Sequence, residues 1–571
     1  MSTYAIGLDF GTNSCRSLIV DLADGREIAH HVFAYPSGKS GVIVDDAHPT
    51  LARQNPADYV TGVEVTIREA LSKAEAADPS FSRGGVIGIG VDTTGSSPMP
   101  VDADGLPLCF HPEFAEDPAA MVWLWKDHTS HAEAALITEL GTKHRPEYMS
   151  KIGGTYSSEW FWSKILHCKL CAPRVYEAAA SFVEICDWIP AMLTGMMRPG
   201  EIKRSVCAAG HKAMFNAAWS GLPDEEFLNM LSPGLGALRG RLFETAYAVD
   251  AKAGVLSSDW AEKLGLSSTV AIAVGAFDAH LGAVGAGITP GVLVKIIGTS
   301  TCDIMIAPDT EPLADIKGVC GIVDNSVMNG FYGIEAGQSA VGDIFLWFVN
   351  TCVPESYGAT VDDKFTNLEI AASRMLPGES GLLSLDWNNG NRTVLVDTRL
   401  TGLLLGQTLS TQPHEIYRAL IEATAFGALK IIDRIEEYGV GIEEVINCGG
   451  LASKSPLLVQ IYADITGRPM KISRSDQTPA LGAAIAASVA AGKASGGYAT
   501  IGDAVGVMTG TSRVFEPIDD HHTTYQKLYA LYTQLHDGFG TPSWSGSMYN
   551  VMKDLLAIRD AVRSGAHRRT E

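Results

Sequence analysis

Residues 4–20 read YAIGLDFGTNSCRSLIV: an apolar run, a Gly-Thr turn and a second apolar run. This pattern predicts two strands joined by a tight turn that carries glycine and hydroxyl residues. Residues 292–307 read VLVKIIGTSTCDIMIA and repeat the same grammar. Aligned on the turn, Gly11-Thr12-Asn13-Ser14-Cys15 faces Gly298-Thr299-Ser300-Thr301-Cys302. The echo continues in order. Each hairpin is followed by a short apolar strand ending in a Gly- or Asp-rich turn, at 86–95 and at 445–451. Each strand is followed by a helix of small residues, at 278–287 and 480–487. Three matched elements in matched order predict duplicated α/β domains facing a central cleft, the kind of place ligands favour.

The pattern also sets boundaries. An N-terminal domain is expected over 1–290, a C-terminal domain over 291–495 and a helical extension over 496–571. The first domain carries a long insertion holding Trp123, Trp125, Trp160, Trp162, Trp188, Trp219 and Trp260. Those tryptophans either fill an added core or offer a surface for substrate selectivity. In the extension, Tyr525, Leu528, Tyr532 and Leu535 stand at helical spacing. A last helix is expected over 548–562, stopping near Gly565 and followed by a fraying tail at 567–571.

Composition narrows the class. The 571 residues are 46% hydrophobic and 19% charged, which excludes a disordered chain. A net charge of −22 argues against a nucleic-acid or anionic-membrane surface. It leaves room for a phosphate ligand, because backbone N–H groups bind anions without net positive charge. Ten scattered cysteines read as reduced thiols rather than a disulfide framework. Cys168 and Cys171 form a lone C-x-x-C without a second pair at metal spacing. No signal peptide or membrane-spanning run is visible, so the cytoplasm is the expected address.

The turns carry the chemistry. Two Gly-Thr turns facing one cleft would offer backbone N–H groups, together with Thr12, Ser14, Thr299 and Ser300, to the phosphates of one nucleotide. No Walker-type G-x-x-x-x-G-K-[ST] occurs, so a P-loop enzyme is excluded. Asp9, at the end of the first strand, suits Mg²⁺ or a bond to its own turn. Arg16 is placed to reach a phosphate or to pair with an acid. Asp278 lies between an apolar strand and a small-residue helix. It suits a general base and equally a helix cap.

These residues resemble the FGGY family of carbohydrate kinases. The matching pieces are Asp9-Phe10-Gly11-Thr12-Asn13-Ser14, Gly298-Thr299-Ser300, Gly449-Gly450-Leu451-Ala452-Ser453-Lys454, and the stretch from Gly402 through His414 to Glu422. The resemblance covers residues 4–495. It implies two duplicated actin/hexokinase-like (ribonuclease H-like) ATPase domains, with ATP and Mg²⁺ as cofactors. Within the family the likeness is strongest to kinases of L-ribulose in arabinose breakdown, on residues 10–25, 90–108, 124–134, 205–215, 335–345 and 549–562. D-ribulose, xylulose or another polyol is the nearest alternative substrate, and an ATP-driven conformational protein without a sugar is the alternative of another class.

By motif, the resemblance implies Asp278 as catalytic base. Thr93, Thr94, Trp125, Lys212 and Glu335 would contact the ketopentose. Gly11, Thr12, Asn13, Ser14, Arg16, Gly298, Thr299, Ser300, Gly342, Gly449, Gly450 and Lys454 would hold the nucleotide, and Asp9 the metal. Lys454 falls where several members carry Asn, and Leu346 where another carries Gln. The expected partners are the ketopentose and ATP, with no nucleic acid and no membrane, and the chain is compatible with a homodimer.

Overall fold

A computed structural model describes residues 2–568. It is a mixed α/β chain that divides into two compact units. The first comprises Met1–Pro290, Ile304–Glu335 and Gln477–Gly510; the second comprises Gly291–Asp303, Ala336–Asp476 and Thr511–Glu571. Compactness therefore interleaves the chain, whereas the expected boundaries at 290 and 495 run in sequence order. Among the described residues, no helix is long and apolar enough to cross a membrane.

In the first unit the expected hairpin forms. Strand Tyr4–Phe10 pairs antiparallel with Ser14–Asp21, and Gly11 N–H closes the turn on the Ser14 carbonyl at 3.0 Å. On its other edge Tyr4–Phe10 runs parallel to Val86–Thr93. Alternation gives the two faces of this pair opposite characters. Tyr4, Ile6, Leu8 and Phe10 join Ile89 and Val91 in one core with Tyr59, Val63 and Ile67 of helix Pro56–Ala77. The opposite face is nearly bare: Ala5 pairs with Gly88, Gly7 with Gly90 and Asp9 with Asp92.

Helix Thr478–Ala491 lies on that bare face. A Cβ built on Gly7 would stand 1.7 Å from the Ala480 carbonyl oxygen, and one on Gly90 1.9 Å from that of Ala483. Helix Asp278–Ala286 packs on Thr478–Ala491 by the same device: a Cβ on Gly482 would stand 1.8 Å from the Leu281 oxygen, and one on Gly285 2.0 Å from that of Thr478. The two small-residue helices of the sequence repeat are thus partners within one unit. Their composition follows from backbone-to-backbone contact, which leaves no room for side chains.

Most of the tryptophans build cores. Trp123, Trp160 and Trp162 lie in a cluster inside the insertion, with Trp219 packed against it. Trp188 and Trp260 belong to the core of the main sheet. Trp125, like Trp219, stays half-buried, but its indole N–H goes to a loop hydroxyl rather than to a backbone carbonyl, as described below.

In the second unit Val292–Ile297, Glu444–Cys448 and Met470–Ser473 form a parallel sheet, bordered antiparallel by Thr511–Phe515. Helix Asp519–Gly540 buries Tyr525, Leu528, Tyr532 and Leu535, as their spacing predicts. It is also bonded in place: Tyr525 Oη donates to Glu422 at 2.8 Å and Tyr532 Oη to Asp386 at 3.0 Å. The final helix runs Val551–Arg568, past the expected stop at Gly565. A glycine inside an exposed helix costs only about 1 kcal/mol and does not end it. Of the tail expected to fray, residues 569–571 lie outside the described ones.

Candidate active site

The glycine face of the first unit ends in carboxylates. Asp9 and Asp92 are register partners at the last turns of two parallel strands, where ligands of α/β sheets collect. Arg16, opposite Asp9 on the hairpin, pairs with it at 3.2 Å. Of the two roles open to Arg16, the structure shows the ion pair. Both oxygens of Asp92 are buried, and among the described residues no nitrogen or hydroxyl donor reaches them; their polar neighbour is the Asp9 carboxyl. Burial raises the Asp92 carboxyl well above its usual range, and the negative charges of Asp9 and Asp278 raise it further. Burial likewise lifts Asp9, with Arg16 opposing.

Asp278 opens helix Asp278–Ala286; the cap position itself falls on Phe277, which makes no side-chain cap bond. Its Oδ1 accepts from the Ala279 N–H at 2.7 Å. Burial pushes its pKa up to about 7, with Asp9 and then Glu335 adding to the rise. A carboxyl poised near neutrality can take a proton at physiological pH and give it up again.

Lys212 and Glu335 come together. Lys212 Nζ donates to Glu335 Oε1 at 2.7 Å and to Oε2 at 2.9 Å, and stands 5.1 Å above the Trp160 ring. Although burial works against it, Lys212 holds the Glu335 carboxylate far below its usual range. Two histidines close the cluster: His211 Nδ1 lies 3.5 Å and His280 Nε2 3.7 Å from Glu335 Oε2. Burial keeps both neutral, His280 down at about 4. Ser326 Oγ donates to the Val323 carbonyl at 3.1 Å, so it accepts from His211 Nε2 at 2.9 Å and fixes that tautomer. Gly321, opposite Glu335 on the Gly321–Asp324 ladder, makes room: its Cβ would stand 2.4 Å from His211 Nδ1.

Thr93 and Thr94 continue the Asp92 strand. Thr93 Oγ1 donates to the Thr94 carbonyl at 3.0 Å, and Thr94 Oγ1 lies 3.4 Å from Ser97 Oγ. The loop they enter is clamped from behind. Buried Lys164 donates to the carbonyls of Ser96 at 2.7 Å and Leu124 at 2.8 Å, while Glu184 accepts from Ser96 Oγ and from Ser97 N–H. Ser97 Oγ in turn accepts from the Trp125 N–H at 3.1 Å, and Trp125 Nε1 donates to Thr12 Oγ1 at 3.0 Å. Trp125 is therefore tied to the first Gly-Thr turn. Asn13 is exposed and bonds the Ser40 carbonyl at 2.7 Å. Ser14 begins the second strand.

In the second unit the Gly298-Thr299-Ser300 turn closes on itself, Gly298 N–H to the Ser300 carbonyl at 2.9 Å. Helix Gly342–Cys352 latches it: Val341 N–H bonds the Thr299 oxygen at 2.8 Å, and Gly342 N–H the Gly298 oxygen at 3.1 Å. The glycines here are of two kinds. A Cβ on Gly342 would meet the Gly298 oxygen at 2.5 Å, and one on Gly449 the Ile297 oxygen at 2.5 Å. A Cβ on Gly450 meets nothing within 4 Å, and one on Gly298 only the Ser300 oxygen at 3.9 Å. Gly342 and Gly449 are packing glycines that shape the turn, while Gly298 and Gly450 present open backbone. Lys454 ends the short helix Gly450–Lys454 and is exposed.

This contrast gives a prediction. Gly298 lacks the positive φ that disfavours side chains, so Gly298→Val leaves the fold intact. The added bulk blocks close approach to that backbone. Calorimetry should show ATP affinity reduced at least tenfold at unchanged melting temperature; unchanged affinity removes this turn from the nucleotide site.

Asp92, His211 and His280 are the site-lining residues that sequence patterns missed. Asp92 was visible as an acid at the end of a strand, but only the register with Asp9 gives it meaning. The histidines come from two segments whose convergence on Glu335 no local spacing encodes.

Comparison with known proteins fits this geometry. Residues 4–285 match the N-terminal domain of the FGGY family of carbohydrate kinases and residues 293–491 its C-terminal domain. The chain is 42% identical to a ribulokinase of Shouchella clausii, over 99% of this chain and 100% of that one. It is 42% identical to a ribulokinase of Geobacillus thermodenitrificans, over 98% of each. In fold it is similar to the xylulose kinase of Rhodospirillum rubrum (TM-score 0.76, 20% identity, 94% of this chain and 99% of that one). It is also similar to the glycerol kinase of Plasmodium falciparum with ADP (TM-score 0.74, 15% identity, 94% and 98%). Two family domains in order, over most of the chain, and relatives matched end to end place this protein in the FGGY family of carbohydrate kinases.

Proposed function

We propose that the protein transfers the γ-phosphoryl group of ATP to the terminal hydroxyl of L-ribulose, forming L-ribulose 5-phosphate and ADP in the cytoplasm. The observation that carries the reading is Asp278, a carboxyl poised near pH 7 whose charge environment includes the Lys212–Glu335 pair. The full-length likeness to proteins named ribulokinase supports the choice of sugar.

Asp278 orients the attacking hydroxyl and accepts its proton as the new O–P bond forms and the bond to ADP breaks. The proton then leaves to solvent. Lys212 donates to the sugar's keto or hydroxyl oxygens, and Glu335 accepts from its hydroxyls. Trp125 offers a flat apolar face, and Thr93 and Thr94 line the loop beneath. The Gly-Thr turn of each unit is assigned to the phosphates, with Gly449, Gly450 and Lys454 serving the nucleoside. Two adjacent carboxyls, Asp9 half-buried and Asp92 buried with no donor on either oxygen among the described residues, fit a hard cation. Asp9 and Asp92 would hold the Mg²⁺ that arrives with ATP, which when bound neutralises phosphate charge.

The test is a split in the Michaelis constants. Lys212→Met and Glu335→Gln should raise KM for L-ribulose at least tenfold and leave KM for ATP within about threefold, consistent with losing a hydrogen bond worth roughly 1–3 kcal/mol. Each variant removes one partner of a buried pair, at about 3 kcal/mol in stability, so a urea titration accompanies the kinetics. Equal damage to both constants in a folded protein would take these residues away from the sugar. A panel of L-ribulose, D-ribulose, both xyluloses and glycerol checks the substrate itself, and faster turnover of any of the others overturns that choice.

A further inference from the structure

The C-x-x-C of the sequence is not a pair in space. Cys168 is buried in the core of the insertion, while Cys171, three positions on, is exposed. What shares a face with Cys171 is His167, one turn before it on helix Phe161–Cys171. Helix His131–His144 brings Glu133 alongside. Glu133 Oε1 lies 3.0 Å from His167 Nδ1, and Cys171 Sγ 3.8 Å from the same nitrogen. One donor atom from each of the three residues lies within 4.8 Å of the others. The Glu133 side chain is only 10% exposed, and among the described residues its second oxygen is buried without a partner. The His167 ring is held edge-on to Trp123, with centroids 5.9 Å apart.

A carboxylate, an imidazole and a thiol are the donor set of a borderline-soft cation, and a poor one for Mg²⁺ or Ca²⁺. Tetrahedral coordination with bonds of about 2.0–2.3 Å places nitrogen and oxygen about 3.3 Å apart, and nitrogen and sulfur about 3.6 Å apart. The observed spacings are close to both. The exposed thiol leaves a fourth position open to solvent. None of the three residues belongs to the candidate sugar or nucleotide site.

We propose that Glu133, His167 and Cys171 bind one Zn²⁺ ion on the insertion. Binding forms Zn–O, Zn–N and Zn–S bonds in place of bonds to water, moves the His167 proton from Nδ1 to Nε2 through solvent and releases the thiol proton to solvent, with no change of oxidation state.

The experiment uses the full chain, reduced and freed of metal by a chelator. Zn²⁺ is titrated against a chromophoric competitor, and Co²⁺ is added separately as a spectroscopic probe. We expect one equivalent of Zn²⁺ bound and a thiolate-to-cobalt charge-transfer band. Cys171→Ser should abolish the band and weaken Zn²⁺ at least tenfold; His167→Gln should weaken it by as much. Cys352→Ser, at another exposed cysteine, should change neither. Metal-free kinase turnover with MgATP should stay at the wild-type rate in all three variants, which shows that they are folded. No bound Zn²⁺, or wild-type affinity in Cys171→Ser and His167→Gln, overturns the site.

Discussion

Asp278→Asn should lower kcat at least a hundredfold while making the protein more stable. The rate loss follows from the role proposed for Asp278, a general base that acts mainly in the transition state, an effect of roughly 10²–10⁴. Sugar and MgATP affinities should stay near wild type, because Asn keeps the shape and the bond to Ala279. The stability gain follows from the raised carboxyl. Its folded pKa of about 7 lies above the unfolded value of about 3.9. The ionised form is therefore disfavoured in the folded state, and wild-type stability falls as pH rises from about 4 through 7. The variant lacks this penalty. At pH 8 it should be more stable by on the order of 2 kcal/mol, discounted for the partial exposure of the residue, with the difference closing towards pH 4. Urea midpoints at the two pH values read it, and kcat/KM of the wild type should show an acid limb near 7. A variant that keeps a tenth of wild-type turnover reduces Asp278 to the opening residue of its helix.

Gly7→Ala should be the most damaging small substitution in the first unit. The new methyl would stand 1.7 Å from the Ala480 oxygen, which belongs to helix backbone and cannot swing aside. Strand and helix must separate, and with them the contacts of Gly88 and Gly90. A cost above about 3 kcal/mol is expected, and with it poor soluble yield. Gly298→Ala is the control: its methyl enters open space and should leave the melting temperature unchanged. Equal melting temperatures for the two variants would mean that the glycine face tolerates separation.

The contrast shows how far sequence carried. Repeated hairpins, small-residue helices and the Tyr525–Leu535 stripe were legible, because each is encoded by periodicity within a short window. The pairing of helix Thr478–Ala491 with helix Asp278–Ala286 was not, since nothing local in an alanine-rich helix names its partner. The same limit hid Asp92: an acid ending a strand is common, and only parallel register sets it beside Asp9. Only family likeness marks Lys212 and Glu335 in the sequence. Their ion pair, and the two histidines behind it, depend on strand Phe331–Ala336 meeting helix Val206–Ala213 across Gly321. The tryptophans were the most ambiguous signal. Their burial follows from size, and Trp125 differs by offering its N–H to Thr12.

The late origin of helix Thr478–Ala491 has a consequence for biosynthesis. Strand Tyr4–Phe10 leaves the ribosome among the first residues, yet the helix that covers its glycine face is encoded after residue 477. At about 5–20 residues per second, that face waits roughly half a minute to a minute and a half for its cover. Throughout that interval the nascent first unit is a sheet with one side unsealed. Emergence of residues 478–491, rather than of the N-terminal half, sets when this unit can become native. A chain cut short before residue 478 should remain a client of chaperones however much of its N-terminal sequence is present.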